Sequence, residues 1–236
     1  MKQILGGMRK AIEEYNMIND GDSIAVGVSG GKDSMLLLYA LKLYQKFSPV
    51  KYELAGVTVS LGFKNFDLKP VISFCEKIEV PYYIVDTDIE EIVFNVRKEK
   101  NPCSLCSKMR NGALHNKIKE IGFNKVALGH HADDVIETMF LSMLYSGRIA
   151  TFKPVTYLSN KDIHNIRPLI FLREAQVLGA INDNDIPVIE SPCPMDKTSK
   201  RQEVKKILKK IYEDVPEGRE RLLQAIRNTD QYDLWS

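Results

Sequence analysis

Three short stretches of this chain carry residue types and spacings that can do chemistry. The first is Ser29-Gly30-Gly31-Lys32-Asp33-Ser34. Its glycines let the backbone turn tightly and aim successive amides inward as an anion nest. A helix beginning there adds its partial positive charge, and Lys32 adds a full one. Ser29 and Ser34 can donate hydroxyl hydrogen bonds to phosphate oxygens. Asp33 would repel a bare anion, so it makes sense where Mg²⁺ sits between carboxylate and phosphate. The string is not a Walker A loop, because Val26 and Asp33 stand where that motif needs Gly and Ser or Thr, and it is not a GxGxxG fingerprint. A lone Gly-Gly pair reads as a plain strand-to-helix turn; the six residues together point to phosphate binding.

The second stretch is Gly129-His130-His131-Ala132-Asp133-Asp134. An Asp at a helix start is often only a cap, and one of this pair is expected to be one. The other, with Asp134 the candidate, would hold Mg²⁺ or position a nucleotide. Adjacent histidines do not face each other on a helix, so no metal role is expected for them.

The third is Cys103-Ser104-Leu105-Cys106, a C-x-x-C opening a helix after Pro102. Two thiolates at this spacing can share one metal centre, and a helix start lowers a thiol pKa. A redox dithiol and a zinc site are the alternatives. Cys193, in Ser191-Pro192-Cys193-Pro194, can complete a set of three, whereas Cys75 lies among Ile72, Phe74 and Ile78 as a core residue. Three thiolates leave one position of a tetrahedral zinc or a cluster iron without a protein ligand. An open iron on a [4Fe–4S] cluster can hold a non-protein ligand such as sulfide.

The elements that must position these stretches alternate. Ser23–Val28, Glu53–Ser60, Pro81–Asp86 and Lys125–Gly129 read as strands. Helices are expected over Ser34–Lys46, Leu68–Ile78, Ile89–Lys98 and Asp133 to about Tyr145. His164–Pro168 and Ile186–Glu190 read as short extended pieces flanking a helix over Arg173–Asn182. A charged helical tail follows over Thr198–Asn228, broken near Pro216. This pattern predicts an α/β fold, a doubly wound and mostly parallel sheet with an inserted C-x-x-C helix. Ligands in such sheets bind at the carboxyl ends of the strands, where the glycine loop and the Asp pair fall. The expected organisation is an N-terminal helix over 1–21, the sheet domain over 22–190, and a third-cysteine segment with a basic tail over 191–236. The Met139, Met143 and Leu144 stripe is expected to be core.

The chain has 236 residues, 27% charged and 44% hydrophobic, which is ordinary globular composition and excludes a disordered or fibrous chain. A net charge of +2 means that any nucleic-acid surface must be local. Lys197, Lys200, Arg201, Lys205, Lys206, Lys209 and Lys210 crowd one such segment. That run reads either as a solvated helix face or as a phosphate track. No run of about 18 apolar residues and no leader pattern occurs, so a cytoplasmic protein without a membrane span is expected.

The glycine string resembles the PP-loop of the N-type ATP pyrophosphatases. SGGKDS, PCSLC at 102–106, GHHADDVIETMFLSMLYSGR at 129–148 and IRPL at 166–169 together resemble the tRNA 2-thiocytidine synthetase family over roughly 22–208. The resemblance implies ATP bound by Val28, Ser29, Gly30, Gly31, Lys32, Ser34, Val57, Thr58 and Gly129, with Lys32, Asp33 and Asp134 catalytic and Asp33 on Mg²⁺. It implies a [4Fe–4S] cluster on Cys103, Cys106 and Cys193, and a tRNA substrate met by Arg110, Arg148, Lys200 and Arg201. The expected reaction adenylates the C2 oxygen of an anticodon-loop cytidine and replaces it with sulfur. A related uridine thiolase or another PP-loop adenylating enzyme is the alternative. Sulfur would come from free sulfide or a donor such as a cysteine desulfurase, and a homodimer is also implied. Many members carry a second C-x-x-C near the C-terminus; this chain has only Cys193 there.

Overall fold

Alternating apolar runs and amphipathic segments build a six-stranded sheet in the computed structural model, which describes residues 1–98, 102–195 and 200–228. Lys197 lies outside the described residues. The strands are β1 (Asp22–Gly27), β2 (Tyr52–Ser60), β3 (Tyr82–Asp86), β4 (Lys125–Ala127), β5 (Val155–Leu158) and β6 (Ile163–Ile166). Their order is β3-β2-β1-β4-β6-β5, parallel throughout except for the antiparallel β5–β6 pair at the edge. The helices are α1 (Lys2–Glu14), α2 (Lys32–Tyr44), α3 (Lys69–Lys77), α4 (Pro102–Glu120), α5 (Ala132–Ser146), α6 (Glu174–Asp183), α7 (Lys200–Asp214) and α8 (Gly218–Arg227).

Strands buried on both faces need apolar residues on both, and β1 has them over residues 24–26. Ile24 and Val26 point into the larger core with Met35, Leu38 and Leu41 of α2, while Ala25 faces the second core with Leu114 and Ile118 of α4. Each such fully buried aliphatic side chain contributes roughly 1.5–3 kcal/mol. A third, smaller core joins Ile136 of α5 to Val204 and Leu208 of α7, which fastens the C-terminal helices onto the domain.

The chain runs from β1 outward to β2 and β3, then crosses back to place β4 on the other side of β1. That reversal opens a crevice at the carboxyl ends of β1 and β4. Both the glycine loop and the Gly129–Asp134 stretch open there.

Several expectations need correction. The helix expected over Ile89–Lys98 is present over Glu91–Val96, shorter and wound as a π-helix. Residues 186–190 pair with no strand and instead dock on the glycine loop, Ile189 N–H donating to Gly30 O at 3.0 Å. Strand β5 was not expected; it is short, and its residues are only partly buried, so the alternation that marks a strand is weak. Of the methionine and leucine stripe only Met139 is core: Met143 is 38% and Leu144 55% exposed.

Candidate active site

The glycine loop is built by its own residues. Gly30 sits at φ +80°, a conformation open to glycine at no steric cost, and a side chain there would collide with Ile189. Ser34 is buried; its hydroxyl donates to Gly31 O at 2.9 Å and accepts Ser29 N–H at 3.1 Å. Its oxygen thus holds the loop shut, while Ser29 is exposed. Val28 and Val57 are buried side by side, with Val28 N–H on Val57 O at 2.8 Å. Buried Thr58 donates to Val28 O at 2.7 Å and accepts Tyr82 O–H at 2.6 Å, fixing the end of β1 against β2. Gly129 brings the β4 loop against the glycine loop so closely that a Cβ there would lie 2.8 Å from the carbonyl carbon of Asp33.

That close approach assembles a charged ring. Lys32 Nζ stands 3.1 Å from Asp33 Oδ2 and 3.0 Å from Glu174 Oε1. Asp33 Oδ1 is buried, has no hydrogen-bond partner, and lies 3.6 Å from His131 Nε2. His131, 1% exposed, also stands 3.5 Å from Asp134 Oδ2. Asp134 caps α5, accepting His131 N–H at 3.0 Å, and its other oxygen lies 3.3 Å from Arg201 Nη1. Arg201 reaches Glu137 Oε2 at 3.0 Å and donates to Thr138 Oγ1 at 3.1 Å. Lys205 closes the ring between Glu137, at 3.6 Å, and Glu174, at 3.1 Å. Asp133 accepts Glu174 N–H at 2.7 Å and lies 3.2 Å from Arg219 Nε. Both aspartates of the pair therefore hold helix starts, one its own and the other that of α6.

The charges shift accordingly. Burial disfavours the Glu174 carboxylate, but Lys32 and Lys205 outweigh it and hold the group at about 2. Burial also disfavours the Lys32 ammonium, yet Asp33 and Glu174 raise it above the ordinary lysine range. Glu137, 3% exposed, is pushed up by burial against the pull of Lys205 and Arg201. His130, its ring 4.7 Å from that of Phe152, is held down to about 4, chiefly by burial, and is neutral at physiological pH. A cavity of about 350 Å³ opens beside the ring, lined by Asp133, Glu137, Glu174, Lys205, Tyr212 and Arg219 among others.

All four cysteines are free, and Cys75 is buried in the core. Cys103 is exposed, and Cys106 and Cys193 are partly so. The Cys106 thiol is pushed up by burial, and the nearby Cys193 and Cys103 add to this while Arg110 opposes it. Cys193 lies four residues beyond Ile189, whose amide bonds Gly30 O, so this thiol follows the segment that docks on the glycine loop. Among the described residues no group of three His, Cys, Asp or Glu side chains stands placed to hold a metal ion. The donors themselves fit the implied groups. As soft donors, three cysteine thiolates suit an iron–sulfur cluster. The unpartnered buried oxygen of Asp33 suits a hard cation such as Mg²⁺.

The sequence of a PP-loop domain family matches residues 6–211. A tRNA-cytidine(32) 2-sulfurtransferase of Geobacter sulfurreducens is 33% identical over 230 residues, 96% of this chain and 90% of its own. The chain belongs to the PP-loop family of tRNA sulfurtransferases. A second family member, the tRNA-cytidine(32) 2-sulfurtransferase of Aliivibrio fischeri, is 37% identical over 229 residues, 96% of this chain and 75% of its own. The fold is that of the U34-tRNA thiolase NcsA from Methanococcus maripaludis, solved with its [4Fe-4S] cluster, at a TM-score of 0.81 and 24% identity over 99% of this chain and 79% of that one. NAD⁺ synthetase from Burkholderia pseudomallei shares the fold more loosely, at a TM-score of 0.54 and 13% identity over 98% of this chain and 88% of that one.

Within this sulfurtransferase, Lys32, Asp33, Gly129 and Asp134 come together at one crevice. Arg110 and Arg148 are exposed. Lys200 is exposed and lies over the Tyr145 ring at 4.6 Å, whereas Arg201 turns inward onto the carboxylates. The sequence reading missed Glu174, Glu137, Lys205 and Arg219 as site residues. Glu137 lies inside the quoted 129–148 string, where its helical spacing from Asp133 and Asp134 was the available signal. Glu174 carried no local signal at all.

Proposed function

We propose that this enzyme thiolates a cytidine of tRNA after activating the base with ATP. The observations that carry the reading are the unpartnered oxygen of Asp33 in the glycine loop and three free thiols, of which Cys193 follows four residues after Ile189, the residue whose amide bonds Gly30. In this reading the loop amides and Lys32 hold the triphosphate. The cytidine C2 oxygen attacks the α-phosphorus, and pyrophosphate leaves as its growing charge is met by Lys32 and the loop amides. Asp33 would hold Mg²⁺, whose charge would offset that of the phosphates, and His131 and Asp134 line the same crevice. Incoming sulfide then attacks C2, and AMP departs in place of a poorly leaving oxygen. Cys103, Cys106 and Cys193 would hold the [4Fe–4S] cluster. When bound, that cluster supplies an iron site able to carry sulfur. The exposed lysines of α7, with Arg110 and Arg148, offer a phosphate track for the tRNA, and the target base would be splayed out to reach the crevice.

The test is anaerobic incubation of the reconstituted protein with unmodified tRNA, ATP, Mg²⁺ and sulfide, followed by mass spectrometry of the nucleosides. The expected product is 2-thiocytidine, with pyrophosphate released alongside it. Thiouridine alone would overturn the cytidine assignment, and no thionucleoside with any tRNA pool would overturn the reading altogether.

A further inference from the structure

The Lys32 ammonium faces two carboxylates of different origin. One belongs to Asp33, its chain neighbour, and the other to Glu174, contributed by the start of α6. Left with Asp33 alone, Lys32 would neutralise the carboxylate that the proposed function reserves for Mg²⁺. Glu174 competes for the same ammonium at 3.0 Å.

Glu174 is itself held at three points. Its amide is bonded by Asp133 at 2.7 Å, its place in the first turn of α6 favours a negative charge, and Lys205 binds its second oxygen at 3.1 Å. The Lys205 contact has a consequence for the reaction. When Lys32 moves to a phosphate, Glu174 keeps a cation and is not left as a partly buried, uncompensated charge, which would be costly. A carboxylate bridging two lysines can therefore give one of them up.

We propose that Glu174 is the positioning residue of the glycine-loop lysine, sharing the Lys32 ammonium with Asp33 so that it is not committed to Asp33 alone and stays ready for the phosphates of ATP. This rests on the nucleotide reading above and names a residue that acts only through Lys32.

Two measurements on the full chain test it. The first needs no nucleotide: the ¹⁵N–¹H signal of the Lys32 ammonium in cold, mildly acidic buffer, assigned by its loss in Lys32→Met. Two carboxylate partners slow its exchange with water, so the signal is expected in the parent and in Glu174→Asp, and lost in Glu174→Gln. The second is equilibrium binding of Mg-ATP. Without Glu174 the ammonium rests on Asp33 alone and must be drawn off it to meet the phosphates, so Glu174→Gln should weaken binding about tenfold. Glu174→Asp should recover part of it, and Glu174→Gln should add nothing once Lys32→Met is present.

A signal that persists in Glu174→Gln, unchanged binding, or losses that add with Lys32→Met would each overturn the proposal. So would Lys205→Met reproducing the full loss, which would mean that Glu174 only tethers α7. A parent protein that shows the expected Lys32 signal yet binds no Mg-ATP overturns the nucleotide reading, and with it the purpose assigned to Glu174.

Discussion

Gly129 lies against the backbone of Asp33, so that even one added carbon would meet the Asp33 carbonyl carbon at 2.8 Å and the Ser34 nitrogen at 3.0 Å. Backbone cannot rotate away as a side chain can. Gly129→Ala should therefore push the glycine loop off the β4 loop, costing about 1–3 kcal/mol of stability. Mg-ATP binding should fall with it. Chemical denaturation and nucleotide titration on the same preparation check this; a parent-like value in both would show that the two loops need not touch.

The thiols give a prediction that separates ligand from core. Alanine at Cys103, Cys106 or Cys193 should abolish the broad visible absorption of anaerobically reconstituted protein. Cys75→Ala should keep that absorption while losing about 1 kcal/mol of stability, because Cys75 is buried and its removal leaves a small void. Absorption lost in Cys75→Ala and kept in Cys193→Ala would reverse the assignment.

At the opposite end of the sheet, Lys125 Nζ and Asp22 Oδ2 stand 2.6 Å apart, both buried, and Lys125 also donates to Met17 O at 3.0 Å. Lys125→Met strands the Asp22 carboxylate. The expected loss is about 3–5 kcal/mol of stability, read as a lower denaturation midpoint, with nucleotide affinity of the folded fraction unchanged.

Acid should act through Asp22 and Glu174 together. Burial disfavours the Asp22 carboxylate, but bonds from Lys125, the Asn19 amide and Asn124 hold its carboxyl below the ordinary 3.8. Glu174 falls from 4.5 to about 2. A depressed carboxyl contributes its full stability above the unfolded value and loses it as pH falls through the folded one. Stability should therefore decline below about pH 4.5 toward pH 2. In Glu174→Gln the decline should be shallower by about 1 kcal/mol, the scale left after solvent screening of a group this exposed. Urea midpoints across that range measure it.

Lys206, Lys209 and Lys210 are exposed on α7, whereas Arg201 is committed to Asp134 and Glu137. Neutralising the three exposed lysines should weaken tRNA binding broadly and flatten its salt dependence by roughly one unit per lost phosphate contact. Arg201→Met should instead disturb the site itself, lowering stability because buried Glu137 loses a partner. Filter binding at several salt concentrations, beside a denaturation curve, distinguishes the two effects.

What the sequence could determine here was local. SGGKDS states its own turn, because glycine tolerance, the helix start and the serine contacts all lie within six residues. The parallel sheet was legible from apolar runs alternating with helices, since burial on both faces leaves a continuous apolar signature in β1 and β2. Cys75 read as core because its neighbours at helical spacing are apolar. Where periodicity faded, the pattern misled: residues 186–190 carry strand-like residues but spend a backbone bond on Gly30, and Met143 and Leu144 are apolar yet exposed near the end of α5. The partners of the catalytic candidates came only with the tertiary structure. Lys32 meets Glu174, and Asp134 meets Arg201, across long stretches of chain, and no local pattern of charge says which carboxylate will face which cation. That choice follows from the strand order, which sets β1 beside β4, and from the packing of α7 on α5, which turns Arg201 and Lys205 inward while its other lysines stay in water.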